Sequence, residues 1–200
     1  MDAYDLAQGT WSRLPDLPFH SQHNKVVEVD GRLFCFGGLF GRDGTEGEAP
    51  LDRRATFVYD PAARTWTLGP RLPHEILLED YFNAMWAPHG FELQKQFCVM
   101  GIVFRSDNRY RSAAFVWDPT RETWDPFPAP PVVAESISQT NDHVVAHGYI
   151  PSDVPIDGST PMPQRLFVLD QASRDWVEWA IPAEPGIIDN GPRFAAVRIG

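Results

Sequence analysis

Cysteine, basic charge, long apolar runs and helical periodicity are all in short supply in this chain. Two cysteines in 200 residues, Cys35 and Cys98, cannot form a disulfide framework, so stability must come from a packed core. Lys and Arg number 17 against 27 Asp and Glu, and the net charge of −10 repels a phosphate backbone or an anionic bilayer, which sets aside nucleic acid and membrane as partners. No apolar stretch approaches the ~18 residues of a membrane span. The opening MDAYDLAQGTW has neither the basic nor the apolar region of a secretory signal. An intracellular protein is expected, cytoplasmic with the nucleus left open. GxSxG, HExxH, phosphate-cradling glycine loops and paired-cysteine motifs are also missing, so no catalytic residue, cofactor or metal is assigned.

Punctuation and apolar side chains are plentiful: 19 Pro, 15 Gly, 43% hydrophobic and 12% aromatic residues. That mixture predicts a globular all-β chain of many short strands. One unit is written four times, as AYDLAQGTW, VYDPAARTW, VWDPTRETW and VLDQASRDW. In each copy Asp5, Asp60, Asp118 or Asp170 precedes Trp11, Trp66, Trp124 or Trp176 by six residues. The tryptophans recur every 52 to 58 residues, a period that signals a repeat architecture. Mechanically, the residues before Asp make a strand, Asp and the following Pro suit a type I turn, and Thr-Trp opens the returning strand.

Each repeat reads as a four-stranded antiparallel meander. In the first, strands at 25–29 and 33–36 flank an Asp30-Gly31 turn, a strong hairpin signal, and end at Gly37-Gly38. A polar loop then leads to the strand before Asp60. In the second, strands are expected at 81–86 and 96–100 around an APHG turn, followed by a loop and a strand at 113–117. In the third, Asn141-Asp142 is the expected turn, and His147-Gly148 is matched to Gly37-Gly38 because both glycine-to-Asp spacings are 22 residues. Cys35 and Cys98 are expected as buried free thiols at matching places in successive repeats. GPRFAAVRIG resembles the first strand of a further unit.

Gly37-Gly38 with Tyr59 and Trp66, followed by the Leu-Pro punctuation of WSRLPDLP, resembles the Kelch family. Met100-Gly101 and His147-Gly148 stand where the second and third repeats would carry the glycine pair, and Trp117 takes the place of Tyr59. The family's Arg before the first strand is not evident, His20 and His23 standing nearby. The resemblance implies a Kelch-type β-propeller domain over 1–200, with blades at 12–66, 67–124 and 125–176 and partial blades at 1–11 and 177–200. Three blades leave end faces to be covered, and three arrangements stay open: a piece of a longer six- or seven-bladed protein, self-association that completes a ring, or a small four-bladed closure. The first is favoured because Met1 falls inside a repeat.

In such a meander, short turns lie on one side and the connectors and long loops on the other. The loops 39–54, 102–111 and 149–164 therefore share a face, with Phe40, Arg42, Phe104, Arg105, Tyr110, Arg111 and Tyr149 upon it. Aromatics and Arg on loops of a rigid scaffold suit a protein partner. A non-catalytic interaction module is expected, and the DPxxxxW hairpins resemble those of F-box/Kelch proteins that recruit substrates to ubiquitin ligases. The alternative is a Kelch-fold enzyme of oxidase or mutarotase type acting on a sugar or other small polar substrate. His143 and His147, four apart on one strand beside Asp142, lack a third metal ligand and are read as structural.

Overall fold

The computed structural model describes residues 1–18, 21–22, 24–37, 39–40, 52–78, 88–104, 110–140, 143–150 and 164–180. These residues form sixteen short strands and no helix. The hairpin β1 (Asp2–Asp5) and β2 (Thr10–Arg13) comes first, and a two-stranded pair joins β3 (Ser21–Gln22) to β6 (Leu39–Phe40). Blade one is β4 (Lys25–Val29), β5 (Arg32–Phe36), β7 (Thr56–Asp60) and β8 (Thr65–Leu68), antiparallel in that order. Blade two is β9 (His89–Leu93), β10 (Gln96–Phe104), β11 (Tyr110–Asp118) and β12 (Thr123–Phe127). Blade three is β13 (Val133–Gln139), β14 (Val144–Tyr149), β15 (Gln164–Leu169) and β16 (Trp176–Trp179).

The four Asp-to-Trp hairpins share one local solution. Asp60 Oδ1 accepts from the backbone N–H groups of Ala62 and Ala63 at 2.8 and 3.0 Å. Asp5, Asp118 and Asp170 do the same for the residues two and three beyond them, at 2.8 to 3.1 Å. The residue two before each repeat tryptophan then takes positive φ: Gly9 at 66°, Arg64 at 55°, Glu122 at 53° and Arg174 at 62°. Asp thus serves as an internal cap that replaces the missing ladder. Backbone donors from Ser173 and Ala172 hold the Asp170 carboxyl below its usual range, and at Asp118 the Arg121 side chain is the largest cause, ahead of the backbone donors of Arg121 and Thr120.

Register corrects three expectations. The first strand of blade two is His89–Leu93 and not 81–86, which lies outside the described residues; part of the expected APHG turn is itself strand. Its turn is Gln94-Lys95, with φ of 51° and 64°, the double left-handed geometry of a two-residue hairpin, reached without Gly, Asn or Asp. Glycine alignment also moves by one. Gly101 pairs with Ala113 and Gly148 with Arg165, each five residues before its Asp, and the next pair beyond Phe36↔Thr56 makes Gly37 their equivalent, not Gly38. The equal 22-residue spacing therefore misleads. Crowding explains the glycines: a Cβ at Gly148 would stand 2.1 Å from Val133 O, and one at Gly101 2.3 Å from Ile76 Cγ2. Lastly, the cysteines do not match, for Cys35 opposes Phe57 and Cys98 opposes Val116. Counted from the following Asp they are one residue out of step, so they face opposite sides of their blades. Both are free and buried, and burial pushes the Cys98 thiol up to about 12.

Blades pack face to face. Phe34 and Phe36 of blade one stack on Phe97 of blade two at 4.6 and 5.4 Å, and Phe97 meets Trp124 edge-on at 5.5 Å. Phe91, Cys98, Met100 and Phe127 of blade two close against Val144, Ala146 and Leu169 of blade three. The Gln139 amide clamps the innermost strands together, donating to Glu92 O and accepting from Glu92 N–H, both at 2.8 Å. Three of the four repeat tryptophans add a staple. The indoles of Trp66, Trp124 and Trp176 donate to the carbonyls of Pro15, Arg71 and Pro128, which lie four or five residues beyond the preceding repeat tryptophan. The residue that closes one hairpin thus ties down the connector leaving the previous one.

Candidate functional site

Strand order puts the two-residue turns and all the Asp-to-Trp hairpins at one end of the blades, and at the other the connectors together with the links from β5 to β7, β10 to β11 and β14 to β15. At the first end, Glu28 accepts from Gly31 N–H at 2.6 Å, Glu92 accepts from Lys95 N–H, and Lys95 reaches Asp30 of the neighbouring blade at 3.0 Å. Thr140 N–H donates to His143 O at 2.8 Å, bracketing 141–142, which lie outside the described residues. This end is closed by bonds within its turns and by the Lys95–Asp30 pair between neighbouring blades.

The opposite end is the candidate site, and it is held from beneath. Arg54 Nη1 donates to Pro73 O and Nη2 to Ile76 O at 3.0 Å, while Leu77 N–H donates to Ile102 O at 2.8 Å. These bonds pin the connector 70–77 between blades one and two, with Ile76 wholly buried over Gly101. Ser112 Oγ, six residues before its Asp as Arg54 is before Asp60, accepts from Ala134 N–H of blade three at 3.0 Å.

Of the residues expected at this face, Phe40 ends β6, where it pairs with Ser21, and Phe104 ends β10, where it pairs with Tyr110. Tyr110 and Arg111 are half-buried at the start of β11. Arg42 and Arg105 lie outside the described residues. Tyr149 is corrected: it is 2% exposed and packs on Ile102 and Val133, so it supports the face and cannot contact a partner directly. Burial pushes its phenol up. The middle loop is also shorter than 102–111, because the alternation continues through Ile102 and Val103 and leaves only 105–109 between strands.

His89 escaped the sequence reading because it sat in an expected turn. It is 9% exposed at the start of β9, the same ladder position as Lys25 of β4 and Ser136 of β13. Its ring is bonded to the backbone of Glu135, which sits at a β-bulge, and Nε2 is buried without a partner. Desolvation, with a lesser effect from Lys25, drops its pKa to about 4, so the imidazole is neutral at pH 7. Three innermost strands thus bring Lys25, His89 and the bulge at Glu135 to the connector end. Among the described residues no group of three His, Cys, Asp or Glu is placed to hold a metal; His143 and His147 are half-buried and His20 and His23 lie outside the described residues. No described helix is long and apolar enough to cross a membrane.

No protein-family model matches the chain. The Kelch-like protein terF of Aspergillus terreus is 36% identical over 70 residues, which is 35% of this chain and 15% of that protein. Among solved structures, that of YjhT superposes with a TM-score of 0.54 at 14% identity, covering 88% of this chain and 57% of that chain. The chain therefore spans little more than half of the solved neighbour, and the match reaches a small part of the curated relative.

Proposed function

The chain is built of Kelch-type repeats folded as blades of a β-propeller, and from that premise we propose that it is a non-catalytic interaction module binding a protein partner at the connector end of its blades. The observation that carries this reading is the contrast between the two ends. Short, self-capped turns close one, while the other gathers the longer connections on a scaffold fixed by Arg54, Ile76 and Ser112. Rigid support beneath variable loops is the arrangement in which binding residues concentrate. Phe40, Phe104, Arg105 and Tyr110 are the proposed contacts, and the finer proposal is substrate recognition for a ubiquitin ligase. Replacing Phe104 and Arg105 together by Ala should abolish capture of the partner from cell extract; unchanged capture would contradict the reading, and recovery of partners with no ligase adaptor among them would sink the finer one.

His89 favours a second reading, a small polar ligand at the channel end. A buried acceptor without a partner costs about 1–3 kcal/mol, and a hydroxyl or N–H of a sugar-like molecule would satisfy it. Turnover or binding of a sugar that is lost on His89→Phe would favour this alternative, and stoichiometric copper or iron in the purified protein would favour its oxidase form.

A further inference from the structure

Among the described residues three of the repeat tryptophans are stapled and one is not. Trp66, Trp124 and Trp176 each bond the connector that leaves the preceding hairpin, whereas the Trp11 indole makes no hydrogen bond among the described residues. The hairpin that carries it has the same local form as the others. Tyr4 stacks on Trp11 at 5.0 Å and 45°, as Tyr59 stacks on Trp66 at 5.1 Å and 43°. Its exposure is different: Trp11 is 72% and Tyr4 46% exposed, against 2% for Tyr59.

The complementary surface is at the far side of blade three. Positions facing the next blade are buried in blades one and two, with Phe36 and Met100 at 0%, Val58 at 7%, Val116 at 9% and Phe127 at 6% exposure. Ladder equivalents in blade three are His147, Val168 and Trp179, and here His147 and Val168 are only half-buried while Trp179 is 40% and its neighbour Val177 57% exposed. Counting four residues beyond Trp176 reaches Ala180, whose carbonyl is the counterpart of Pro15 and Pro128. Within its own chain the hairpin lies against blade one, where Arg64 and Trp66 bond Arg13 O and Pro15 O at 2.8 and 3.3 Å.

We propose that two copies of this chain associate head to tail, the β1–β2 hairpin of each lying on the open face of blade three of the other, with Trp11 bonded to the Ala180 carbonyl of its partner. Such a contact joins unlike surfaces, and two identical junctions close a ring. Six complete blades and two shared partial ones fall within the range of about four to eight that propellers span. The exposed aromatic and apolar side chains are of the kind that dominate interfaces.

Light scattering across a dilution series of the 200-residue chain tests this. A dimer of about twice 22.6 kDa is expected, with Trp11→Ala and Val177→Asp each weakening it about tenfold or more. Both sites are exposed, so the variants should keep the wild-type circular dichroism. A monomer at every concentration, which is the result for in-chain closure, overturns the proposal. So does association that ignores both substitutions.

Discussion

The hairpins 2–13 and 56–68 have the same Asp cap, the same left-handed position and nearly the same Tyr–Trp stack, yet Tyr4 and Trp11 are exposed where Tyr59 is buried and Trp66 half-buried. Nine residues suffice to make the hairpin. Burial comes from what lies beside it, and the Trp66 indole is held by the connector that leaves the preceding hairpin. Local structure in this protein is therefore written within each repeat, and stability is written between repeats, as expected for an array stabilised by nearest neighbours.

The largest effects should come from the buried member of the pair. Tyr59→Ala should cost about 3–5 kcal/mol in chemical unfolding, the range of large aromatic truncations in cores, whereas Tyr4→Ala, measured in dilute monomer, should leave global stability within error. Equal losses at the two sites would break the comparison. Tyr59→Phe sharpens it: the buried hydroxyl has no partner, so its removal should be neutral or stabilising.

A second effect of similar size resides at the blade two–three interface. The His89 pKa is about 4 in the fold, below its usual 6.5, so the unfolded chain binds more protons between these values. Stability should fall as pH drops from about 6.5 to 4, by on the order of 3 kcal/mol. His89→Gln should flatten this part of the stability profile, and an unchanged profile would contradict the assignment.

Smaller still is the cap. Asp60→Ala removes two backbone hydrogen bonds and should cost about 1–2 kcal/mol, with faster amide exchange at Ala62 and Ala63. Asp5→Ala should speed exchange at Ala7 and Gln8 alike, since the cap is local in both hairpins. A cap effect that depends on neighbouring blades would refute that independence. Lys95→Ala, which removes an exposed ion pair with Asp30, should leave the melting temperature unchanged within error.

The Asp-to-Trp hairpins were legible because their determinants sit within nine residues, and the Asp30-Gly31 turn because its residues advertise positive φ. The first strand of blade two was not, because Gln94 and Lys95 adopt left-handed turn geometry without the Gly, Asn or Asp that would advertise it. Gly37, Gly101 and Gly148 could be found as glycines, but their register depends on ladder partners, and a spacing count placed them one residue off. At the candidate site the loops were legible by length, while Arg54, Ile76 and His89 act through contacts to other repeats, and Tyr149 was taken for a contact residue because burial by Val133 is invisible in its own loop.

The central functional claim is that one end of the blades binds and the other does not. Amide hydrogen exchange of the chain with and without its captured partner tests it most directly. Added protection should fall at 101–104, 110–112 and 39–40, with none at the turns 30–31, 94–95 and 61–64. Protection at those turns, with the connector end unaffected, would contradict the account.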